Sequence, residues 1–332
     1  MKRALITGIT GQDGSYLAEF LIEKGYAVVG VTLRGVDTQN LAAIKDVIDV
    51  IQGDIQDETF VKSLVSKQFD EIYNLASIST VQSPWEDPVG VVRSTGMAPV
   101  FFLEAIRKTS PHTRFFQASS AEMYGDPAQS PQTERTPFLP RSPYGHGKLL
   151  AHHTLEGYRS NHKLFAVSGI LFNHESSRRP AHFVTRKITS TLARIAGGSD
   201  EVLQLGNLDS KRDWSFAGDI VRGMWMSLQH EKPDSYVFAS GEVHTVREFV
   251  EESAHALGIE LQWQGSGVDQ KGLDGQGKIV VEINPDFYRP LEAQVRQGDI
   301  SKIKKELSWE PTTSFSELVK MMVTGDKTLP QV

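Results

Sequence analysis

Tyr144 and Lys148 stand four residues apart in Tyr144-Gly145-His146-Gly147-Lys148, so a helix there places both on one face. An ammonium beside a phenol lowers its pKa and makes it a proton acceptor, which suits oxidation of a secondary alcohol by a nicotinamide cofactor. Upstream, Ser119-Ser120-Ala121-Glu122 closes an apolar run. Ser120 is placed to donate a hydrogen bond to a substrate oxygen while Tyr144 takes its proton. Glu122 is a further acid/base that a plain alcohol oxidation does not need. The four together predict oxidation coupled to a second proton transfer. Each also has a plainer reading, with Tyr144 packed on the aliphatic stem of Lys148 and Glu122 a surface carboxylate.

Such chemistry needs a dinucleotide cleft, and the N-terminal segment has the residues for one. A short apolar strand over 3–8 leads into Gly8-Ile9-Thr10-Gly11-Gln12-Asp13-Gly14, and Leu17, Phe20 and Leu21 follow at helical spacing. Glycines at 8, 11 and 14 let the backbone approach a pyrophosphate at a helix N-terminus. Gly8, Thr10, Gly11, Gln12, Asp13 and Gly14 are therefore expected to contact the cofactor. A tight strand-to-helix turn without a ligand is the alternative. Arg34 ends the second strand, where an acidic residue would favour NAD and a cation suits the 2′-phosphate of NADP. Asp54 and Ile55 end the third strand, at the expected adenine edge. Leu75, Ala76 and Ser77 end the fourth, on the sheet edge where such folds bind ligands.

The elements that must position these residues alternate. Further strands are expected at 28–33, 47–52, 71–76, 114–118 and 165–172, with helices around 58–67 and 97–108 and another carrying Tyr144. This implies an α/β fold, a Rossmann-like doubly wound parallel sheet, with a smaller mixed α/β substrate-binding lobe. The expected division is 1–172 for the cofactor-binding domain, with about 215–240 packing back on it, and 173–332 for most of the substrate lobe. Within that lobe helices fit 183–196, 217–229 and 246–257, and strands fit 202–205, 236–239 and 279–283. The glycine-rich stretch 265–277 reads as a mobile connection.

Composition narrows the function. Thirty-five Lys plus Arg against 41 Asp plus Glu give a net charge of −6, which argues against general nucleic-acid binding. No apolar run approaches the roughly 18 residues of a membrane helix, and the first strand is too short and too soon broken by glycine for a secretory signal. Cysteine is absent, which removes disulfides and thiolate chemistry and fits a cytoplasmic location.

The motifs also carry a resemblance. Ile6-Thr7-Gly8-Ile9-Thr10-Gly11-Gln12-Asp13-Gly14-Ser15, Gln117 to Gly125, Arg141-Ser142-Pro143-Tyr144, Gly169-Ile170-Leu171-Phe172-Asn173-His174-Glu175-Ser176, Leu205 to Trp214 and Phe287-Tyr288-Arg289-Pro290-Leu291-Glu292 resemble the extended short-chain dehydrogenase/reductases, and among them the GDP-mannose 4,6-dehydratase family. The resemblance runs through nearly the whole chain. It implies that Ser120 stands where the family usually has threonine, that Glu122 is the family's glutamate base, and that Tyr144 and Lys148 are its alcohol-oxidising pair. It implies cofactor contacts at His174 and Arg179, and a GDP-sugar held by Ser79, Asn173, Val184, Lys187, Arg212, Arg289 and Glu292. NADP as cofactor and assembly as a homodimer or homotetramer are implied with it. The chain departs from the family at Leu33-Arg34, where paired arginines are usual, in a shortened following loop, at Ala121, and at Ser177 and Pro180-Ala181-His182 around the sugar pocket. Dehydration of GDP-manno-heptose, a nucleotide-sugar reductase or epimerase, and a non-catalytic dinucleotide sensor are the alternatives.

Overall fold

In the computed structural model, which describes residues 1–78, 85–288 and 295–327, the first half of the chain alternates strand and helix. Strand β1 (Arg3–Thr7) is followed by α1 (Gln12–Glu23), β2 (Ala27–Thr32), β3 (Asp49–Gln52), α2 (Glu58–Val65) and β4 (Glu71–Asn74). Next come α3 (Pro88–Val92), α4 (Ala98–Thr109), β5 (Arg114–Ser120), α5 (Pro143–His162) and β6 (Ala166–Leu171). β1 shows why these segments are strands between two helical layers. Ala4 and Ile6 join one core with Leu17 and Leu21 of α1, while Leu5 points into the opposite core with Val61 of α2 and Phe102 of α4. That is period-two alternation with both faces covered, as a parallel sheet demands.

The second half is shorter-stepped. It runs β7 (Asn173–Glu175), α6 (Val184–Ala196), β8 (Leu203–Leu205), β9 (Lys211–Arg212), β10 (Trp214–Phe216), α7 (Ala217–Gln229) and β11 (Ser235–Phe238). β12 (His244–Thr245), α8 (Val246–Leu257), β13 (Gln262–Gln264), β14 (Lys271–Leu273), β15 (Ile279–Ile283), α9 (Ser301–Leu307) and α10 (Phe315–Lys327) complete it. Seven parallel strands form the main sheet in the order β11-β6-β5-β4-β1-β2-β3. Segments from both halves build it. Ile220, Val221 and Met224 of α7 and Ile303 and Trp309 of the α9 region pack in the same core as α1. A separate core joins Ile188 and Leu192 of α6, Phe249 of α8, Val281 of β15 and Leu318 and Met322 of α10.

The glycine-rich stretch 265–277 is not the mobile connection expected. It contains β14, which pairs antiparallel with β13 and β15 in a four-stranded sheet, and its side-chain-free Gly272 lets Trp263 and Val281 close around it. The helix spanning Pro88–Thr109 is long and apolar enough to cross a membrane by length and composition, although no unbroken run of its residues shows this. Phe102, Leu103 and Ile106 on it are fully buried in the core beside the sheet.

Candidate active site

β1 and β4 lie side by side, yet the helices that follow them cover opposite faces of the sheet, and a cleft opens at their carboxyl ends. Gly8 turns the chain at φ +68, and a Cβ on Gly14 would stand 2.3 Å from the Gly8 carbonyl oxygen. A side chain at either position is strained or drives α1 off β1. Gly11 is the N-cap of α1 and supplies no side-chain cap; a Cβ there would meet only the Gly8 oxygen, at 3.3 Å. The uncapped first turn thus forms a wall of the cleft, as an anion such as pyrophosphate requires. On the β4 side, the Thr7 hydroxyl accepts from the Leu75 and Ala76 amides at 3.1 Å each and donates to Asn74 Oδ1 at 2.8 Å. Those bonds fix the backbone of Leu75-Ala76-Ser77 along the cleft.

A partly buried ion pair ties α1 to β7. His174 Nε2 lies 2.8 Å from Asp13 Oδ2, and Nδ1 lies 2.7 Å from the Phe172 carbonyl oxygen. A carbonyl and a carboxylate only accept, so both ring nitrogens carry hydrogen and the ring is an imidazolium. Burial opposes the charge on each partner. Their mutual attraction overcomes it, holding Asp13 down at about 2 and His174 above its ordinary value. Gln12 Nε2 bridges Asp13 Oδ1 and the His174 carbonyl, each at 3.0 Å, and Ser176 donates to Gln12 Oε1 at 2.8 Å. The start of α1 and the segment 173–176 are one hydrogen-bonded unit. Arg179 follows, with its guanidinium 3.7 Å over the Phe183 ring and Nε 3.2 Å from Glu175. That Nε is buried and lacks a good hydrogen bond.

The chemical residues stand further along the same cleft. Ser120 ends β5, and its hydroxyl accepts from the Glu122 amide at 3.2 Å, which shapes the turn bearing Glu122. Ser142 caps α5 by accepting from the Gly145 amide at 3.1 Å, and Pro143 opens the helix. A Cβ on Gly145 would come within 2.8 Å of the Glu122 carbonyl oxygen, so α5 can lie close to that turn only because position 145 is glycine. Ser120, Glu122, Tyr144 and Lys148 all line the cleft. Lys148 Nζ donates to the Ala118 carbonyl at 2.7 Å and sits 5.4 Å from the centre of the Tyr144 ring. Burial pulls this ammonium down to about 8 against the opposing pull of Asp13.

Here the structure corrects an expectation. Burial pushes the Tyr144 phenol up to about 12, and the Glu122 carboxylate works in the same direction; the Ser120 and Ser77 hydroxyls and Arg179 offset this only in part. Lys148 is not among the main groups that lower it, and its ammonium donates to the Ala118 carbonyl.

Thr10, Gln12, Asp13, Asp54, Ile55, Ser77, Asn173, His174 and Arg179 also line the cleft, beside Gly8, Gly11 and Gly14. Arg34 does not. The chain turns at Gly35, Arg34 is exposed, and among the described residues it has no ion pair, while Leu33 and Val36 line the cleft in its place. Val184 and Lys187 lie at the start of α6 outside the cleft lining, Lys187 with its ammonium 4.5 Å over the Phe287 ring. Arg212 lies on β9, and its guanidinium donates to the Lys211 carbonyl at 2.7 Å. Ser79, Arg289 and Glu292 lie outside the described residues. Arg296, which no motif had singled out, is ion-paired with Glu122. Its only signal in the sequence is a basic residue shortly after Arg289-Pro290-Leu291-Glu292.

Comparison with known proteins places this arrangement. Residues 5–322 match the family model for GDP-mannose 4,6-dehydratase. The chain is 44% identical to a GDP-mannose 4,6-dehydratase of Drosophila melanogaster, over 98% of this chain and 86% of that protein. Against the enzyme of the same name from Homo sapiens it is 43% identical, over 97% of this chain and 91% of that one. The crystal structure of dTDP-glucose 4,6-dehydratase from Bacillus anthracis in complex with NAD superposes with a TM-score of 0.81 at 20% identity, covering 98% of this chain and 96% of that one.

Proposed function

The chain belongs to the GDP-mannose 4,6-dehydratase family and carries out its reaction, dehydration of GDP-mannose to GDP-4-keto-6-deoxymannose, and we propose that Ser120, Glu122, Tyr144 and Lys148 perform it with a bound NADP. The observation that carries these roles is the opening of all four side chains on one cleft whose other end is a helix N-terminus with glycine at its cap and no side-chain cap. A nicotinamide dinucleotide fits that end. Gly11 leaves room for its phosphates, and Asp54, Ile55, Leu33 and Val36 line the surface for its adenosine. NADP is favoured over NAD because β2 is followed by Leu33-Arg34, without a carboxylate to take the ribose hydroxyls.

A bound oxidised cofactor would supply the positive charge of its nicotinamide ring, which favours the Tyr144 phenolate, and a hydride acceptor for sugar carbon 4 that gives the hydride back to carbon 6. The chain moves the protons. Tyr144 takes the proton of the carbon-4 hydroxyl as Ser120 holds that oxygen, and Lys148, braced on Ala118, supports the Tyr144 side of the cleft. The ketone acidifies the hydrogen on carbon 5, which Glu122 removes. Glu122 then gives a proton to the carbon-6 hydroxyl, which leaves as water. Carbon 5 regains a proton from solvent, balancing the one Tyr144 took, so water is the only net loss. The sugar nucleotide extends toward Asn173, Val184, Lys187 and Arg212, cations meeting its diphosphate; Ser79, Arg289 and Glu292, outside the described residues, are assigned to it by the family resemblance alone, with the carboxylate for its guanine.

On this reading 1–172, with 215–240 packed back on it, is the cofactor lobe, and most of 173–332 holds the sugar. The enzyme works in the cytoplasm as a homodimer or homotetramer; a second copy would cover the apolar groove of Val89, Val92, Met97 and Phe101, and mass in solution decides it. The roles are tested by Glu122→Gln. The variant is expected to oxidise carbon 4 and accumulate reduced cofactor without losing water. Full dehydration by the variant overturns the assignment of Glu122.

A further inference from the structure

We propose that Arg296 is a positioning residue for the elimination half of the reaction, dividing the two oxygens of Glu122 so that Oε2 alone carries the proton. The inference rests on the role given to Glu122 above. Arg296 Nη1 engages Glu122 Oε1 in a mostly buried ion pair. Oε2 has no hydrogen-bond partner among the described residues, and Glu122 lines the cleft. A guanidinium has donors only and stays protonated, so an oxygen facing it cannot hold a proton directed at it. Through the cycle Arg296 therefore keeps Oε1 as an acceptor. As the bond from carbon 5 to hydrogen breaks, the proton goes to Oε2 and the electron pair forms the double bond to carbon 6. The bond from carbon 6 to oxygen breaks as the hydroxyl leaves with that same proton.

Arg296 is itself held by a rigid frame. Gln132 is fully buried; its amide donates to the Gln297 carbonyl at 2.7 Å, its carbonyl accepts from the Asp299 amide at 2.8 Å, and its side chain holds Val295 O at 3.1 Å and the Gln297 amide at 2.9 Å. From the other side, buried Asp213 accepts from the Gly298 and Gly241 amides, both at 3.1 Å. A backbone pinned at 295, 297, 298 and 299 has little freedom left at 296. The ion pair therefore fixes the Glu122 carboxylate as well as neutralising it.

The test compares Arg296→Met, Arg296→Lys and Glu122→Gln in the cofactor-loaded enzyme with GDP-mannose. Three readouts are followed: the burst of reduced-nicotinamide absorbance for carbon-4 oxidation, solvent deuterium entering carbon 5, and deoxy-sugar formation. Arg296→Met is expected to oxidise carbon 4 within about twofold of wild type while deuterium entry and water loss slow by about 10- to 100-fold, with KM little changed. Arg296→Lys, which keeps a donor, should recover much of the loss. A crystal structure of the methionine variant should show the Glu122 carboxylate in more than one orientation. Wild-type deuterium entry in Arg296→Met, an unmoved carboxylate, or an equal loss of carbon-4 oxidation overturns the proposal. If Glu122→Gln blocks elimination and Arg296→Met does not, only the inference about Arg296 fails. Dehydration by Glu122→Gln overturns both.

Discussion

Replacing Asp13 with asparagine keeps the shape of the α1 start and removes half of the Asp13–His174 ion pair. In the folded protein the carboxyl is held at about 2, from an ordinary 3.8. At 1.36 kcal/mol per unit that is about 2 kcal/mol of stability. The carboxyl is depressed, so this contribution is complete above pH 4 and disappears as pH falls through about 2. His174 is raised, so its side of the same coupling is complete below its ordinary value of 6.5 and disappears as pH climbs through its folded value. Asp13→Asn should therefore be less stable than wild type by about 2 kcal/mol between pH 4 and 6.5, with the gap narrowing in more alkaline buffer. For a chain of this size the gap amounts to a few degrees in melting temperature. Thermal melts of cofactor-stripped protein across pH 4 to 9, the range bracketing both groups, provide the assay. Equal melting temperatures near pH 6, or a gap that widens above pH 8, would refute the reasoning.

Tyr144→Phe should abolish carbon-4 oxidation while dinucleotide still binds, since the ring and its packing remain; a normal burst of reduced cofactor would assign the proton to another base. Gly14→Ala puts a methyl 2.3 Å from the Gly8 carbonyl oxygen, so it should lose bound dinucleotide, read by native mass measurement, together with some stability; full retention would mean that α1 shifts without consequence. Arg34→Ala should reduce the preference for NADP over NAD through loss of a charge-assisted contact of about 1.5–3 kcal/mol. An unchanged ratio of the two affinities removes Arg34 from the phosphate site.

The sheet was legible because its strands are apolar runs bounded by turn residues. Arg3–Thr7, Ala27–Thr32 and Ala166–Leu171 fall within a residue of where hydrophobicity places them, and α7 and α8 begin and end where their periodicity does. β7, β9, β10 and β12 were not, since two or three residues are too few to show a period. The stretch 265–277 misled because glycine marks both loops and strands that pack closely, and only the partner strands distinguish the two. In the cleft, the spacing of Tyr144 and Lys148 gave one helix face but not the Ala118 carbonyl that takes up the ammonium, which lies across a β5–α5 contact. The pairing of Glu122 with Arg296 and of Asp13 with His174 likewise joins residues more than 150 positions apart. No local pattern encodes such contacts.

The central claim is a dehydration in which the nicotinamide is only borrowed. Purified enzyme should be given GDP-mannose and, separately, GDP-manno-heptose in deuterated water without added reductant, and the products weighed and their carbon-5 position read by NMR. The account predicts that GDP-mannose is converted to a product lighter by one water, with solvent deuterium on carbon 5 and no net consumption of cofactor. Turnover that consumes reduced cofactor one for one, a product of unchanged mass, or conversion of the heptose alone would contradict it.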